Sequence, residues 1–197
     1  MKFTLAESGH TLLELLFVLS AIATLSGMAI PPLLTALDDY RTAGAVRYLS
    51  TRIQRARMEA VSRSTNTAIE FVQDGIGITY GTYVDGNGDG VRTSDIKKGT
   101  DRRLGTIERL PDNYAGVDFG LLPGLPPVDP GNPEPGTDPI KLGSGNLLSY
   151  SAIGTSSAGS LYIRGRSKAQ YTIRILGETG RVRVLKFDPR SRRWKGL

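Results

Sequence analysis

The 197-residue chain is 39% apolar and can bury one core of ordinary size, so two full enzyme domains do not fit. Twenty-five Lys and Arg against 19 Asp and Glu give a net charge of +6, and the lack of cysteine excludes a disulfide framework, a thiolate nucleophile and a Cys-based zinc site. The one histidine, His10, heads an apolar run, which excludes a multi-histidine metal centre and obliges any Ser/His/Asp triad to draw its base from that run.

Residues 1–9 (MKFTLAESG) form a short polar leader, and from Thr11 to Leu34 the chain is almost wholly apolar, broken mainly by Glu14. That is the ~20 residues needed to cross a bilayer core. A secretory signal places its small-residue cleavage site after the apolar region, whereas here Ser8-Gly9 comes first. Cleavage after Gly9 removes only the leader and leaves the apolar helix on the mature chain. Lys2 and the amino terminus would hold the leader on the cytoplasmic side, with the rest expected to be exported.

A carboxylate at Glu14, near the start of a spanning helix, costs a few kcal/mol unless it is paired or protonated. One reading is an interfacial acid that snorkels toward headgroups. The other pairs it with the new α-amine that cleavage creates on His10 of a neighbouring subunit, which would set the stagger between subunits. Further on, Pro31 and Pro32 remove two consecutive backbone donors and predict a break in the helix.

The run Gly9-His10-Thr11-Leu12-Leu13-Glu14-Leu15 followed by an apolar helix resembles the type III signal of type IV prepilins and type II secretion pseudopilins. The resemblance implies cleavage by a prepilin peptidase between Gly9 and His10, then N-methylation of the new terminus. It also implies residence in the bacterial inner membrane and assembly with other pilin or pseudopilin subunits through Glu14 and Thr11. The family's usual first mature residue is Phe, and His10 stands in its place.

Beyond the prolines, Val46, Leu49, Ile53, Ala56 and Ala60 recur at the spacing of one helix face, with Arg52, Arg55, Glu59 and Arg63 on a separate polar face. That face reads as solvated surface or as a contact for acidic lipid or nucleic acid. The helix is expected over 10–64, membrane-spanning in its first half, and a β-rich part over 65–197. There the period changes to two, and TAIEFV, IGITYGTYV, LGTIERL, SLYIRG, AQYTIRIL and GRVRVLKF read as strands, with Glu178-Thr179-Gly180 turning between the last two. Eight of the 11 prolines fall between Pro111 and Pro139, which predicts an exposed loop or edge insertion there.

Gly154-Thr155, Gly159-Ser160-Leu161-Tyr162-Ile163 and Thr179-Gly180-Arg181-Val182-Arg183 resemble the terminal block of the GspH/FimT group of minor pseudopilins and minor pilins. The expected fold is α+β and pilin-like, a long N-terminal helix packed on an antiparallel sheet. The implied place is near the tip of a short periplasmic filament, with the β-rich part outside the membrane.

Two segments carry candidate ligand chemistry. Asp85, Asn87 and Asp89 followed by Gly90 match the first half of an EF-hand loop and make Ca²⁺ a candidate ligand, with Asp95 standing one residue before the missing position-12 Glu. The bland alternative is a hairpin tip without an ion. From Ser160 to Leu197, 11 basic residues face only Glu178 and Asp188. Arg181 and Arg183 on one strand face, joined by Arg174 from the adjacent strand, would suit phosphate, and Arg190, Arg192, Arg193 and Lys195 around Trp194 form a basic, aromatic tail. By resemblance to competence-type minor pilins, Arg181 and Arg183 would bind double-stranded DNA; packing against acidic subunits is the alternative. The glycines at 86, 88 and 90 lack the following helix and Lys-Ser/Thr of a phosphate loop, and no catalytic constellation stands out, so no enzymatic activity is expected.

Overall fold

The computed structural model describes residues 11–143 and 145–197, and the chain divides between Leu37 and Asp38 into two compact units. Helix α1 (Leu12–Arg63) contributes to both. The leader 1–9, Gly9 at the expected cut and His10 lie outside the described residues.

In the first unit Thr11 caps α1, its Oγ1 accepting the backbone N–H of Glu14 at 3.3 Å. From Leu12 to Leu37 every side chain is exposed except Ala21, which is half-buried. The hydroxyls of Ser20 and Thr24 donate to the carbonyls of Phe17 and Ser20, each at 2.8 Å, and so need no outside partner. The break expected at the prolines does not occur, because α1 is helical through Pro31 and Pro32. Proline's fixed φ is already helical, so the pair removes two ladder donors while the helical run continues past them. The residue four before Pro31 is Gly27, with open space where a side chain would stand. Thr35 Oγ1 returns to the Pro31 carbonyl at 3.1 Å.

In the second unit α1 buries Asp38, Thr42, Ala45, Val46, Leu49, Ser50, Ile53, Ala56 and Ala60, one face at spacings of three and four. It ends at Arg63, where Ser64 turns to a left-handed φ of 49°. Two antiparallel sheets follow. The first contains β1 (Thr67–Asp74), β2 (Gly77–Val84), β3 (Arg102–Arg109) and β6 (Leu147–Tyr150) in the order β3-β2-β1-β6. The second contains β4 (Asp118–Phe119), β5 (Ile140–Lys141), β7 (Gly159–Arg164), β8 (Gln170–Leu176), β9 (Arg181–Asp188) and β10 (Arg193–Gly196). Its order is β10-β9-β8-β7-β4, with β5 also paired to β7. Short helices α2 (Thr93–Lys98) and α3 (Leu110–Asn113) flank β3.

Both sheets and α1 share one apolar cluster, to which Ile69, Phe71 and Tyr80 come from the first sheet and Leu161, Ile163, Ile173 and Ile175 from the second. Burying each large aliphatic side chain is worth about 1.5–3 kcal/mol. Polar clasps fix the docking. Asp38 accepts the backbone N–H groups of Arg166 and Ser167 at 3.0 and 2.7 Å, which ties the β7–β8 turn to α1. Glu108 on β3 receives the phenol of Tyr48 at 2.7 Å and that of Tyr80 at 3.2 Å, and lies 2.9 Å from Arg52. The hydrogen bond to Glu108 raises the Tyr48 pKa, and burial raises that of Tyr80. One arginine of the helix's polar face is thus part of the fold.

The six sequence-derived strands correspond to β1, β2, β3, β7, β8 and β9, while β4, β5, β6 and β10 go beyond them. The Pro-rich segment leaves the second sheet at β4 and returns to it at β5, both paired with β7, and is exposed over residues 130–134. Residues 120–135 cross the outer face of the second sheet, with Leu125 buried and the Leu122 N–H bonded to Gln170 Oε1 at 2.9 Å.

Candidate functional site

Asp85, at the end of β2, is followed by a loop that its own carboxylates hold closed. Its Oδ1 accepts the N–H groups of Asn87 and Gly88 at 3.1 and 2.7 Å. Its Oδ2 accepts the Gly90 N–H at 2.8 Å and the Asn66 side chain at 3.0 Å. Buried Asp101 repeats the device, accepting Gly86 and Arg92 N–H at 3.0 Å each. Burial alone would raise the Asp85 pKa, but the donors of Asn66, Gly88, Gly90 and Asn87 outweigh it and the pKa is lowered. Asp89 pairs with Arg92 at 2.7 Å and Asp95 lies 3.6 Å from Lys98.

Among the described residues no three acidic or histidine side chains gather into a cation cage, so Asp85, Asp89 and Asp95 are not brought to one centre. Three peptide N–H groups and the Asn66 amide already occupy the Asp85 carboxylate oxygens that a Ca²⁺ ion would need. The segment also differs from the sequence expectation in its exit, which is α2 and not a strand.

The arginine strand is placed as its alternation requires. On β9 the side chains of Val182 and Val184 pack against the core, which turns Arg181 and Arg183 outward, and both are exposed. Arg183 is directly opposite Arg174 of β8. Arg174, however, is spoken for: its Nε lies 2.8 Å from Asp129 of the Pro-rich segment, close enough for an ion pair but not aligned as a hydrogen bond. No ion pair to Arg181 or Arg183 occurs among the described residues.

The expected basic, aromatic tail is instead strand β10, paired with β9 so that Trp194 faces Phe187. The Trp194 indole donates to the Pro126 carbonyl at 3.0 Å and sits 5.4 Å from the Phe187 ring and 6.2 Å from Tyr162. Arg192 donates to the Gly124 carbonyl at 3.1 Å, and Lys195 pairs with Asp188 at 2.6 Å. The lysine ammonium holds the Asp188 carboxyl below the usual carboxylate range, helped by the Arg190 N–H and the Ser191 hydroxyl. Trp194 is therefore a fastener for residues 120–135, not a free stacking platform, and Arg190 and Arg193 remain exposed beside it.

One junction carries no signal that chain spacing alone reveals. Arg57 of α1 donates from Nε to the Gly154 carbonyl at 3.1 Å. A side chain on Gly180 would stand 2.4 Å from that carbonyl, 3.0 Å from Arg57 and 3.2 Å from Tyr150. The Gly154 and Gly180 motifs thus meet at one point against α1. The spacing Thr11-x-x-Glu14 could also have been read as a capping box, and the Thr11 half of it forms.

No protein-family model and no solved structure matches the chain. Over 86 residues it is 38% identical to the pilin-like protein PilA1 of Thermus thermophilus, an alignment covering 42% of this chain and 51% of that protein. The chain thus spans about half the length of the curated relative it matches. A long N-terminal helix followed by antiparallel sheets is a pilin-like α+β fold, and the chain is similar in sequence to a pilin-like protein.

Proposed function

We propose that the chain is a structural subunit of a type IV pilus or type II secretion pseudopilus, a minor pseudopilin placed near the filament tip. In this reading prepilin peptidase cuts after Gly9 and the new terminus at His10 is methylated. The first half of α1 waits in the inner membrane, with the β-rich unit in the periplasm. The observation that carries it is the surface from Leu12 to Leu37, where Leu, Ile, Val, Phe and Met side chains stand exposed over a length sufficient to cross a bilayer. An apolar surface of that extent calls for lipid, or for the same helix in other subunits. Similarity to a pilin-like protein supports it. Glu14 and Thr11 then serve assembly, with the Glu14 carboxylate receiving the α-amine of a neighbouring subunit.

Intact-mass measurement on the membrane fraction tests the processing. The wild type is expected to begin at His10, whereas Gly9→Val keeps the leader and stays out of filaments. Glu14→Ala should be cleaved nearly normally yet enter filaments poorly. A mature terminus elsewhere overturns the reading, and normal incorporation of Glu14→Ala overturns the pairing.

A second reading, capture of double-stranded DNA by a minor pilin, is favoured by one observation. Arg181 and Arg183 are both exposed on a β-strand without an ion pair among the described residues.

A further inference from the structure

Clefts on the second unit differ in the charge of their linings. The groove beside α1 sets Arg52, Arg55 and Arg63 against Glu59, and the one beside Gly165 sets Arg164 and Arg166 against Asp118. Both are cationic. The cleft between the Pro-rich strap and the outer face of the second sheet, about 180 Å³, is balanced instead. Asp129 and Glu134 oppose Lys141 and Arg174, the Asn132 amide joins them, and the buried Tyr162 closes it from β7.

We propose that this cleft binds an uncharged, polyhydroxylated ring, one pyranose unit of a glycan. A lining with equal numbers of carboxylates and cations has no net attraction for an anion or a cation, which sets it apart from the two arginine-rich grooves. It is nevertheless dense in directional groups. Asp129 and Arg174 hold each other, which leaves the Glu134 carboxylate to accept from vicinal hydroxyls and the Lys141 ammonium and Asn132 amide to donate to hydroxyl and ring oxygens. At ~30 Å³ per water the cleft holds about six waters, the scale of one hydroxylated ring and too small for a nucleotide.

The wall opposite the sheet is preset. Pro126, Pro127, Pro130, Pro133 and Pro135 restrict the strap's backbone, and Trp194, Arg192 and Arg174 pin it at Pro126, Gly124 and Asp129. A wall ordered before binding costs the ligand less conformational entropy. The proposal is independent of the filament reading and stands or falls without it.

Trp194 is the chain's one tryptophan, fastened to the strap and adjacent to Tyr162, so its emission reports on the cleft. The full chain, held in a detergent without a sugar headgroup, is titrated with N-acetylglucosamine trimer, maltotriose and inorganic phosphate. At least one saccharide is expected to change the emission saturably, with half-saturation at about millimolar concentration, and phosphate is expected to do nothing. Asn132→Ala and Lys141→Ala each remove a polar group from an exposed side chain and should weaken binding about fivefold, the weight of one hydrogen bond, without moving the unfolding midpoint. No saturable response to either saccharide overturns the proposal. So does a response to phosphate alone, or saccharide binding that both variants leave unchanged.

Discussion

Gly180 is held by two independent constraints. Its φ is +61°, and a Cβ there would meet the Gly154 carbonyl at 2.4 Å. Backbone at that distance cannot swing away as a flexible side chain does. Gly180→Ala is therefore expected to destabilise the second unit by roughly 2–4 kcal/mol, read as a shift in the denaturant midpoint, and wild-type stability in the variant would contradict the geometry. Gly180 was legible as a turn residue between two alternating runs, since turn chemistry is local. The need for bare backbone was not, because Gly154 and Arg57 reach it only through tertiary folding. The same divide separates the arginines. Outward placement of Arg181 and Arg183 follows from a period of two, whereas the capture of Arg174 by Asp129 depends on where a distant loop lies. Trp194 looked available for stacking because a tail rich in arginine carries no sequence mark of the β10 pairing that seats it.

Elements with a strong period were the readable ones. The buried face of α1 from Val46 to Ala60 repeats at three and four, and it is where the pattern puts it. The strands missed are β4 and β5, two residues each, and β6 and β10, four each, too short to show alternation. At Pro31 and Pro32 the two lost donors predict a break, but a proline φ that fits the helix lets the helical run continue. The loop after β2 is an element of a different kind, held by carboxylates in place of a ladder. The folded pKa of Asp85 is lowered, so its contribution is fully present above the unfolded value of about 3.9 and is lost as pH falls through the folded one. Amide exchange at Gly88 and Gly90, corrected for the intrinsic pH effect, should accelerate as pH drops below about 4, and Asp85→Asn should show the fast exchange already at neutral pH. Protection indifferent to both changes would mean that the carboxylate does not hold the loop.

Across the whole molecule charge is segregated, with 11 bases against two acids from Ser160 onward and 12 acids against seven bases in residues 64–159. Such asymmetry distinguishes the two functional readings by salt. If Arg181 and Arg183 each meet one phosphate, DNA binding falls with a log-log slope that their double replacement by Ala flattens by about 1.8, with affinity weakened alike across sequences. Mobility shifts of wild type and double mutant over a salt series check this, and no binding by the wild type at low salt leaves the filament-scaffold reading alone. The acids of the middle segment have a different occupation. Asp85-Gly86, Asn87-Gly88 and Asp89-Gly90 are three successive Asx–Gly bonds, the kind most prone to succinimide formation and isoaspartate damage. That chemistry requires the glycine nitrogen to shed its proton and attack the preceding side-chain carbonyl carbon. Here the three nitrogens are all engaged, Gly86 with Asp101 at 3.0 Å and Gly88 and Gly90 with Asp85 at 2.7 and 2.8 Å. Peptide mapping after prolonged warming should find isoaspartate at these bonds accumulating far more slowly in the folded chain than in urea, and equal rates would refute the protection. The carboxylates that close the loop thereby shield it from ageing, so that the most perishable stretch of the sequence lasts as long as the fold does.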